Sequence, residues 1–268
     1  MGFLKGQAAI VTGSARGLGR GIALALAREG ASVMIADLLA DKGKETAAEV
    51  AATGVGSAFL PVDVTKRDQV EGMVAETVKR FGRLDILVNN AGNTTHPAWC
   101  WEMSDQDWHS VINTHINGTF YGIKAAAKVM VGRGYGRIVN LSSIAAVHGA
   151  SSQINYSAAK FAIKGMTYTA AKELGPHGIT VNALQPGVIR SDMTAILLHS
   201  GGDEKTAMGT PVRRVGEPED VANAVKFFVN PASGFITGVV MRVDGGIATK
   251  LAAEDDLEAY AKVYPGKE

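Results

Sequence analysis

Two kinds of segment alternate along the chain. Short runs of consecutive apolar residues, rich in Val, Ile and Leu, stand at AAIVT (8–12), SVMIAD (32–37), SAFLPVD (57–63), LDILVNN (84–90), GRIVNLSS (136–143), ITVNALQP (179–186) and VVMRVDGG (239–246). Their apolar positions are consecutive rather than alternating, as happens when both faces of a strand are covered. They therefore predict seven strands of a mostly parallel sheet with helices on both faces. Between them apolar residues recur every three or four positions. LGRGIALALAREG (18–30) and RDQVEGMVAETVKRFG (67–82) are two such stretches, and each closes on a glycine, a common helix stop. Strand and helix in alternation predict a doubly wound α/β fold.

No internal repeat or linker interrupts the pattern, so residues 1–246 are expected to form one domain. In the tail, 247–268, Leu257, Tyr260, Ala261 and Tyr264 share a face at helical spacing and follow Glu254, Asp255 and Asp256. Acidic residues suit the positive end of a helix dipole, so a short amphipathic helix is expected there, stopped before Pro265.

Charge narrows the partners. With 27 basic and 26 acidic residues the formal charge is +1, and no basic block follows a nucleic-acid backbone, so nucleic acid is not an expected partner. The single cysteine, Cys100, excludes an intrachain disulfide and leaves no Cys cluster for zinc, which suits a reducing compartment and no metal. No apolar run approaches the roughly 18 residues of a membrane span, and the N-terminus has no leader pattern. A cytoplasmic protein without a membrane partner is expected.

The first predicted strand leads into TGSARGLGRG, with Gly13, Gly17 and Gly19 around Arg16 and Leu18, directly before a helix. Glycines there allow a tight turn and let a pyrophosphate approach backbone N–H groups at the helix's positive end. No Gly-Lys-Ser/Thr follows, so an NTP-binding P-loop is not indicated. Asp37 closes the second predicted strand, where a carboxylate accepts hydrogen bonds from both ribose hydroxyls and repels a 2′-phosphate; this favours NAD over NADP. Arg16 pulls the other way, because a guanidinium can pair with that phosphate. Asp37 decides, since a dianion beside a carboxylate is costly whereas an exposed Arg turns away cheaply.

YSAAKFAIKGMTYTAAK (156–172) contains Tyr-x-x-x-Lys twice, as Tyr156 with Lys160 and Tyr168 with Lys172. Residues four apart share a helix face, but twelve positions turn a helix by about 1,200°, so the pairs point about 120° apart and at most one faces a given pocket. A Tyr hydroxyl supplies or takes the proton when hydride moves between an alcohol carbon and a nicotinamide. A free phenol, near pKa 10, is too weak a base at neutral pH, and an ammonium beside it is expected to lower that value. Ser143 can hydrogen-bond the substrate oxygen.

Taken together, TGSARGLG, Asp63-Val64, NNAG (89–92), the Ser in LSS thirteen residues before Tyr156, the Tyr-x-x-x-Lys, Pro186-Gly187 and VDGG (243–246) resemble the short-chain dehydrogenase/reductase family over about residues 5 to 246. The resemblance implies a Rossmann-type fold, a homotetramer, and Tyr156 with Lys160 as the reacting pair, because Ser143 lies at family spacing from it. It further implies that Lys160 contacts the nicotinamide ribose and that Asn89, Asn90, Ala91 and Gly92 shape the cofactor pocket. Asp63 and Val64 would contact adenine, Val188 and Ile189 after Pro186-Gly187 would hold the carboxamide, and Ser191 would keep a hydroxyl for a phosphate. Tyr168 and Lys172 are then a packed ring and a solvated charge.

One position departs from the family. DWHSVINTHING puts His115 where the family usually has the Asn of a catalytic tetrad, and Asn117, about 200° further round a helix, cannot replace it. His115 is either a participant in proton relay, since imidazole titrates near neutral pH, or a packed helix residue. His96, Trp99, Trp101 and His148 fall in segments that line the family's substrate pocket. The two Trp suit an apolar or ring-bearing substrate, or ordinary packing.

The reading is an oxidoreductase using NAD on a small-molecule secondary alcohol or ketone. Its rivals are an NADPH-dependent 3-oxoacyl-[acyl-carrier-protein] reductase and a non-catalytic dinucleotide-binding regulator. Asp37 argues against the first, and the intact Ser143, Tyr156 and Lys160 against the second.

Overall fold

The computed structural model describes residues 2–199 and 202–249. Seven strands, β1 (Ala8–Thr12), β2 (Ser32–Asp37), β3 (Ser57–Pro61), β4 (Ile86–Asn89), β5 (Gly136–Leu141), β6 (Ile179–Pro186) and β7 (Val240–Val243), form one sheet. Their order is β3-β2-β1-β4-β5-β6-β7, and every neighbouring pair is parallel. Every residue of β1, β4, β5 and β6 is buried, which is why their sequences are apolar without alternation; the edge strands β3 and β7 are partly exposed. Four expected strands, β3, β4, β5 and β7, are shorter than their apolar runs. β3 stops at Pro61, after which residues 62–64 leave the sheet toward a cleft. Before β4, the wholly buried Asp85 carboxylate accepts the Ala8 N–H at 2.9 Å and pairs with Arg83 at 2.6 Å, tying the foot of β1 to its neighbour through a side chain.

The helices are α1 (Gly17–Arg28), α2 (Ala40–Ala51), α3 (Arg67–Phe81), α4 (Asp105–Ile112), α5 (Gly118–Val131), α6 (Ala145–His148), α7 (Ile154–Leu174), α8 (Ala195–Leu198), α9 (Gly202–Gly209) and α10 (Pro218–Val229). Helices α1 and α10 cover one face, where Ile22, Leu26, Val225 and Phe228 pack on Val11 and Val88. Helices α3, α5 and α7 cover the other, where Met73, Ile123 and Ala170 meet Ile10, Leu87 and Ile138. Full burial of a Leu or Phe side chain stabilises by about 1.5–3 kcal/mol, so these two layers hold the sheet. The glycine that stops α3, Gly82, takes φ 76°, the left-handed conformation expected of a helix stop.

The chain order reverses between β1 and β4, and in such sheets a ligand crevice opens beyond the strands' carboxyl ends. Side chains from both lips stitch the crevice. The Thr12 hydroxyl at the end of β1 accepts the N–H groups of Asn90 and Ala91, both at 3.0 Å, just past β4.

Among the described residues no helix is long and apolar enough to cross a membrane. Ile247–Thr249 form one short 3₁₀ turn, and the amphipathic helix expected at Leu257–Tyr264 lies outside the described residues.

Candidate active site

A cleft of about 480 Å³ opens at that reversal, within the usual range for ligand sites. At one end lies the glycine turn. Gly13 has φ 64°, and a Cβ on it would stand 2.7 Å from the Ala91 Cα; a Cβ on Gly19 would stand 2.1 Å from the Gly13 carbonyl oxygen. Only glycine fits either place. Asn90 fixes the turn by donating from Nδ2 to the carbonyls of Thr12 at 2.8 Å and Gly13 at 3.0 Å. No side chain caps the N-terminus of α1, so its first N–H groups remain available to an anion such as a pyrophosphate. Leu18 and Gly17 line the same end.

Asp37 closes this end, its carboxylate accepting the Ala15 N–H at 2.9 Å and the Leu39 N–H at 3.0 Å. Asp63, Val64, Leu38 and Leu39 complete the wall. Arg16 extends away from the turn and pairs with Asp192 at 2.6 Å across the mouth. The glycine cradle and Asp37 fit a dinucleotide, with the pyrophosphate at α1 and the adenosine ribose at the carboxylate; bound there, a nicotinamide cofactor supplies or accepts hydride.

The other end is built by β5 and α7. Ser143 follows β5, and α7 presents Tyr156 and Lys160 one turn apart on its buried face. Lys160 is 4% exposed; its Nζ donates to the Leu141 carbonyl at 2.7 Å and lies 5.4 Å from the centre of the Tyr156 ring. Burial pushes the ammonium down to about 7. Burial also raises the Tyr156 phenol above its usual value, and a hydrogen bond from Ser143 offsets part of the rise. The phenol is thus raised where Lys160 was expected to lower it, with loss of solvent the largest cause. A phenol that keeps its proton at neutral pH can donate it to a carbonyl oxygen, and Ser143 can hold that oxygen from the other side. Tyr168 points elsewhere, as the helix geometry requires, but its ring is 44% exposed rather than packed.

His115 sits in a π-helical turn, Asn113–Asn117, between α4 and α5, where the Gly118 N–H bonds the Asn113 carbonyl five residues back. The turn drives His115 inward to 1% exposure, while Asn117 turns outward and donates to the Asn113 side chain at 2.8 Å. His115 Nε2 lies 2.8 Å from the Asn93 carbonyl and 3.2 Å from the Asn93 N–H; the shorter contact assigns the proton to Nε2, so Nδ1 is a buried acceptor without a partner. Burial, and secondarily the Lys160 charge, push the imidazole down to about 3, so it is neutral across the working range and does not titrate near pH 7 as expected. A Cβ at Gly92 would meet the His115 ring at 2.5 Å, so the glycine is what admits the imidazole.

Other residues fall outside the cleft. Asn89 is buried and donates to Asn140 at 2.9 Å, whose own amide reaches Thr167 of α7 at 3.0 Å; this chain joins β4, β5 and α7 and reads as structural. Val188 lines a separate cavity with Thr210 and Val212, whereas Pro186, Gly187, Ile189 and Ser191 line the cleft itself. His96 and His148 are exposed, and neither lines the cleft. Trp99 and Trp101 stack on each other at 5.6 Å, are 53% and 75% exposed, and do not line it either. Sequence reasoning missed Asn93, Thr114, Asp192 and Met193, which do line it, and Asn155, which anchors the 93–103 loop by donating to Thr95 Oγ1 and the Asp107 carbonyl, both at 3.1 Å.

A family model described as enoyl-(acyl carrier protein) reductase matches residues 13–248. The chain belongs to the short-chain dehydrogenase/reductase family. Within that family it is 39% identical over 249 residues to a 3-oxoacyl-[acyl-carrier-protein] reductase of Synechocystis sp., covering 92% of this chain and 99% of the relative. It is 42% identical over 246 residues to the enzyme of that name from Staphylococcus aureus, covering 90% and 98%. The crystal structure of levodione reductase superposes with a TM-score of 0.88 at 29% identity, covering 92% of this chain and all of that one. The family of short-chain dehydrogenases and reductases acts as oxidoreductases, which agrees with a hydride-transfer site in this cleft.

Proposed function

We propose that the protein interconverts a ketone and a secondary alcohol with NAD(H), with Tyr156 as the proton donor and acceptor. Ser143 holds the substrate oxygen, and Lys160, beneath the Tyr156 ring, orients the bound ribose. The observation that carries this reading is the convergence of Ser143, Tyr156 and Lys160 at one end of a cleft whose other end is the glycine turn. Residues 1–246 act as one catalytic domain in this reading.

For the substrate, the names of the relatives favour a 3-oxoacyl thioester. The expectation of a ring-bearing alcohol rested on Trp99 and Trp101, which do not line the cleft. For the cofactor, the support is Asp37 facing the adenosine end, with the neighbouring Leu38 and Leu39 contributing no cation to a 2′-phosphate. A second reading, an NAD-linked dehydrogenase of another secondary alcohol, is favoured by the same carboxylate. Half-exposed Phe120, Phe161 and Tyr168 on α5 and α7 offer apolar surface to further copies and support a homotetramer, which light scattering would test against the monomer mass.

The deciding experiment follows oxidation of NADH and of NADPH with acetoacetyl-coenzyme A, and reduction of NAD with a panel of secondary alcohols. Turnover of the thioester with NADH is expected. Turnover of alcohols alone favours the second reading. Tight dinucleotide binding without turnover of any substrate would point to a regulator instead.

A further inference from the structure

Among the described residues, the cations lining the cleft are Arg16, at the adenosine end, and Lys160, at the other. Arg16 is rooted one residue after Ala15, whose N–H is held by the Asp37 carboxylate, so its guanidinium starts beside the position a 2′-phosphate would take. Its backbone is extended, with φ −156° and ψ 177°, and the side chain leaves the turn rather than following α1. It meets Asp192, which arrives from the opposite lip after β6, with Nη1 to Oδ2 at 2.6 Å. The partners are 176 residues apart in sequence. Arg190, the nearest other cation in that segment, is engaged by Asp203 and Glu217 at 3.0 and 3.1 Å, which leaves Asp192 to Arg16.

We propose that Asp192 is a specificity-determining residue: by holding Arg16 across the cleft mouth, it withholds the cation that lines the adenosine end with Asp37 from a 2′-phosphate and adds to the selection of NAD(H). The proposal rests on the NAD reading of this site. Two carboxylates then act by different routes. Asp37 repels the phosphate directly, and Asp192 occupies the group that would otherwise attract it. A guanidinium that must leave one anion to meet another gains only the difference between the two pairs. Both partners are about half exposed, at 52% and 63%, so water and salt weaken the pair and the effect is modest.

The test is fluorescence titration of the full chain with NADH and with NADPH, at low and at physiological salt, for the unmodified protein, Asp192→Asn, Arg16→Ala and the double variant. Asp192→Asn is expected to shift the ratio of the two dissociation constants toward NADPH by about fivefold, equivalent to about 1 kcal/mol. In the Arg16→Ala background the same change should shift it by under about twofold, because the cation to be released is gone. The shift should also shrink as salt rises. Equal shifts in both backgrounds would overturn the proposal, since Asp192 would then act only through its own charge, and so would no shift in either. If the unmodified protein binds NADPH more tightly than NADH, the NAD reading fails, while the comparison of backgrounds still decides the role of Asp192.

Discussion

The rings of His115 and Tyr156 stand perpendicular, at 89°, with centroids 5.4 Å apart. An aromatic pair in this geometry adds about 0.5–1.5 kcal/mol beyond the area it buries, and here it braces the candidate proton donor. Because the imidazole is neutral, its contribution is positional. His115→Asn should therefore keep turnover within about tenfold, under about 1.4 kcal/mol in the barrier, and leave the acidic limb of the pH–rate profile in place. A displaced limb would mean that the imidazole takes up a proton in the working range.

The same residue bears on acid stability. Between pH 6.5 and about 3 the unfolded chain holds a proton on His115 that the folded chain does not, so lowering the pH through that window favours unfolding. His115→Asn should lose less stability than the unmodified protein between pH 6.5 and 4, read as denaturant midpoints by fluorescence.

Lys160 gives the corresponding effect on the alkaline side. Its ammonium falls from 10.5 to about 7 on burial, so between about pH 7 and 10 the unfolded state binds the extra proton and stability should rise with pH. The raised Tyr156 phenol acts in the opposite sense only above about pH 10, where the unfolded phenol ionises first. In Lys160→Met, without cofactor, the rise between pH 7 and 10 should flatten.

The proposed reading gives proton transfer to one of the two tyrosines in Tyr-x-x-x-Lys pairs. Tyr156→Phe should abolish turnover while NADH still binds, since only the hydroxyl is removed. Tyr168→Phe, on an exposed ring 120° round α7, should be nearly silent. Equal losses in the two variants would refute the helix-face argument.

Cofactor choice depends on Asp37. The unmodified protein should prefer NAD at least tenfold, more than about 1.4 kcal/mol. Asp37→Asn retains a carbonyl to accept one backbone N–H but removes the charge, so both dinucleotides should still bind while the preference shrinks. Calorimetry showing NADP bound as well as NAD by the unmodified protein would exclude the assignment.

Features that depend on local sequence were legible from it. The strands were, because β1, β4, β5 and β6 are buried along their whole length and their composition records that. The glycine turn was, because Gly13 and Gly19 stand where a Cβ would strike backbone. Tyr156 and Lys160 were, because four residues on a helix fix a face. Features that depend on distant packing were not. Nothing in NTHIN distinguishes a π-helical turn from an α-helical one; the wider turn accompanies an imidazole that fits only because residue 92 is glycine. Proximity located Lys160 but could not weigh the burial of the Tyr156 phenol, which raises it instead of lowering it. Trp99 and Trp101 are apolar by composition yet stack on each other in solvent, and the pairing of Arg16 with Asp192 leaves no local trace.

The Thr12 hydroxyl accepts two N–H groups from the segment after β4, so the glycine turn and the Asn90–Ala91 wall of the cleft share a hinge pin rather than a boundary. In engineering terms, the glycine turn is not a portable cassette. Transplanting a foreign turn into this scaffold without a hydroxyl at position 12 would strand the Asn90 and Ala91 amides in the cleft wall, and the loss would spread to the glycine turn that Asn90 holds.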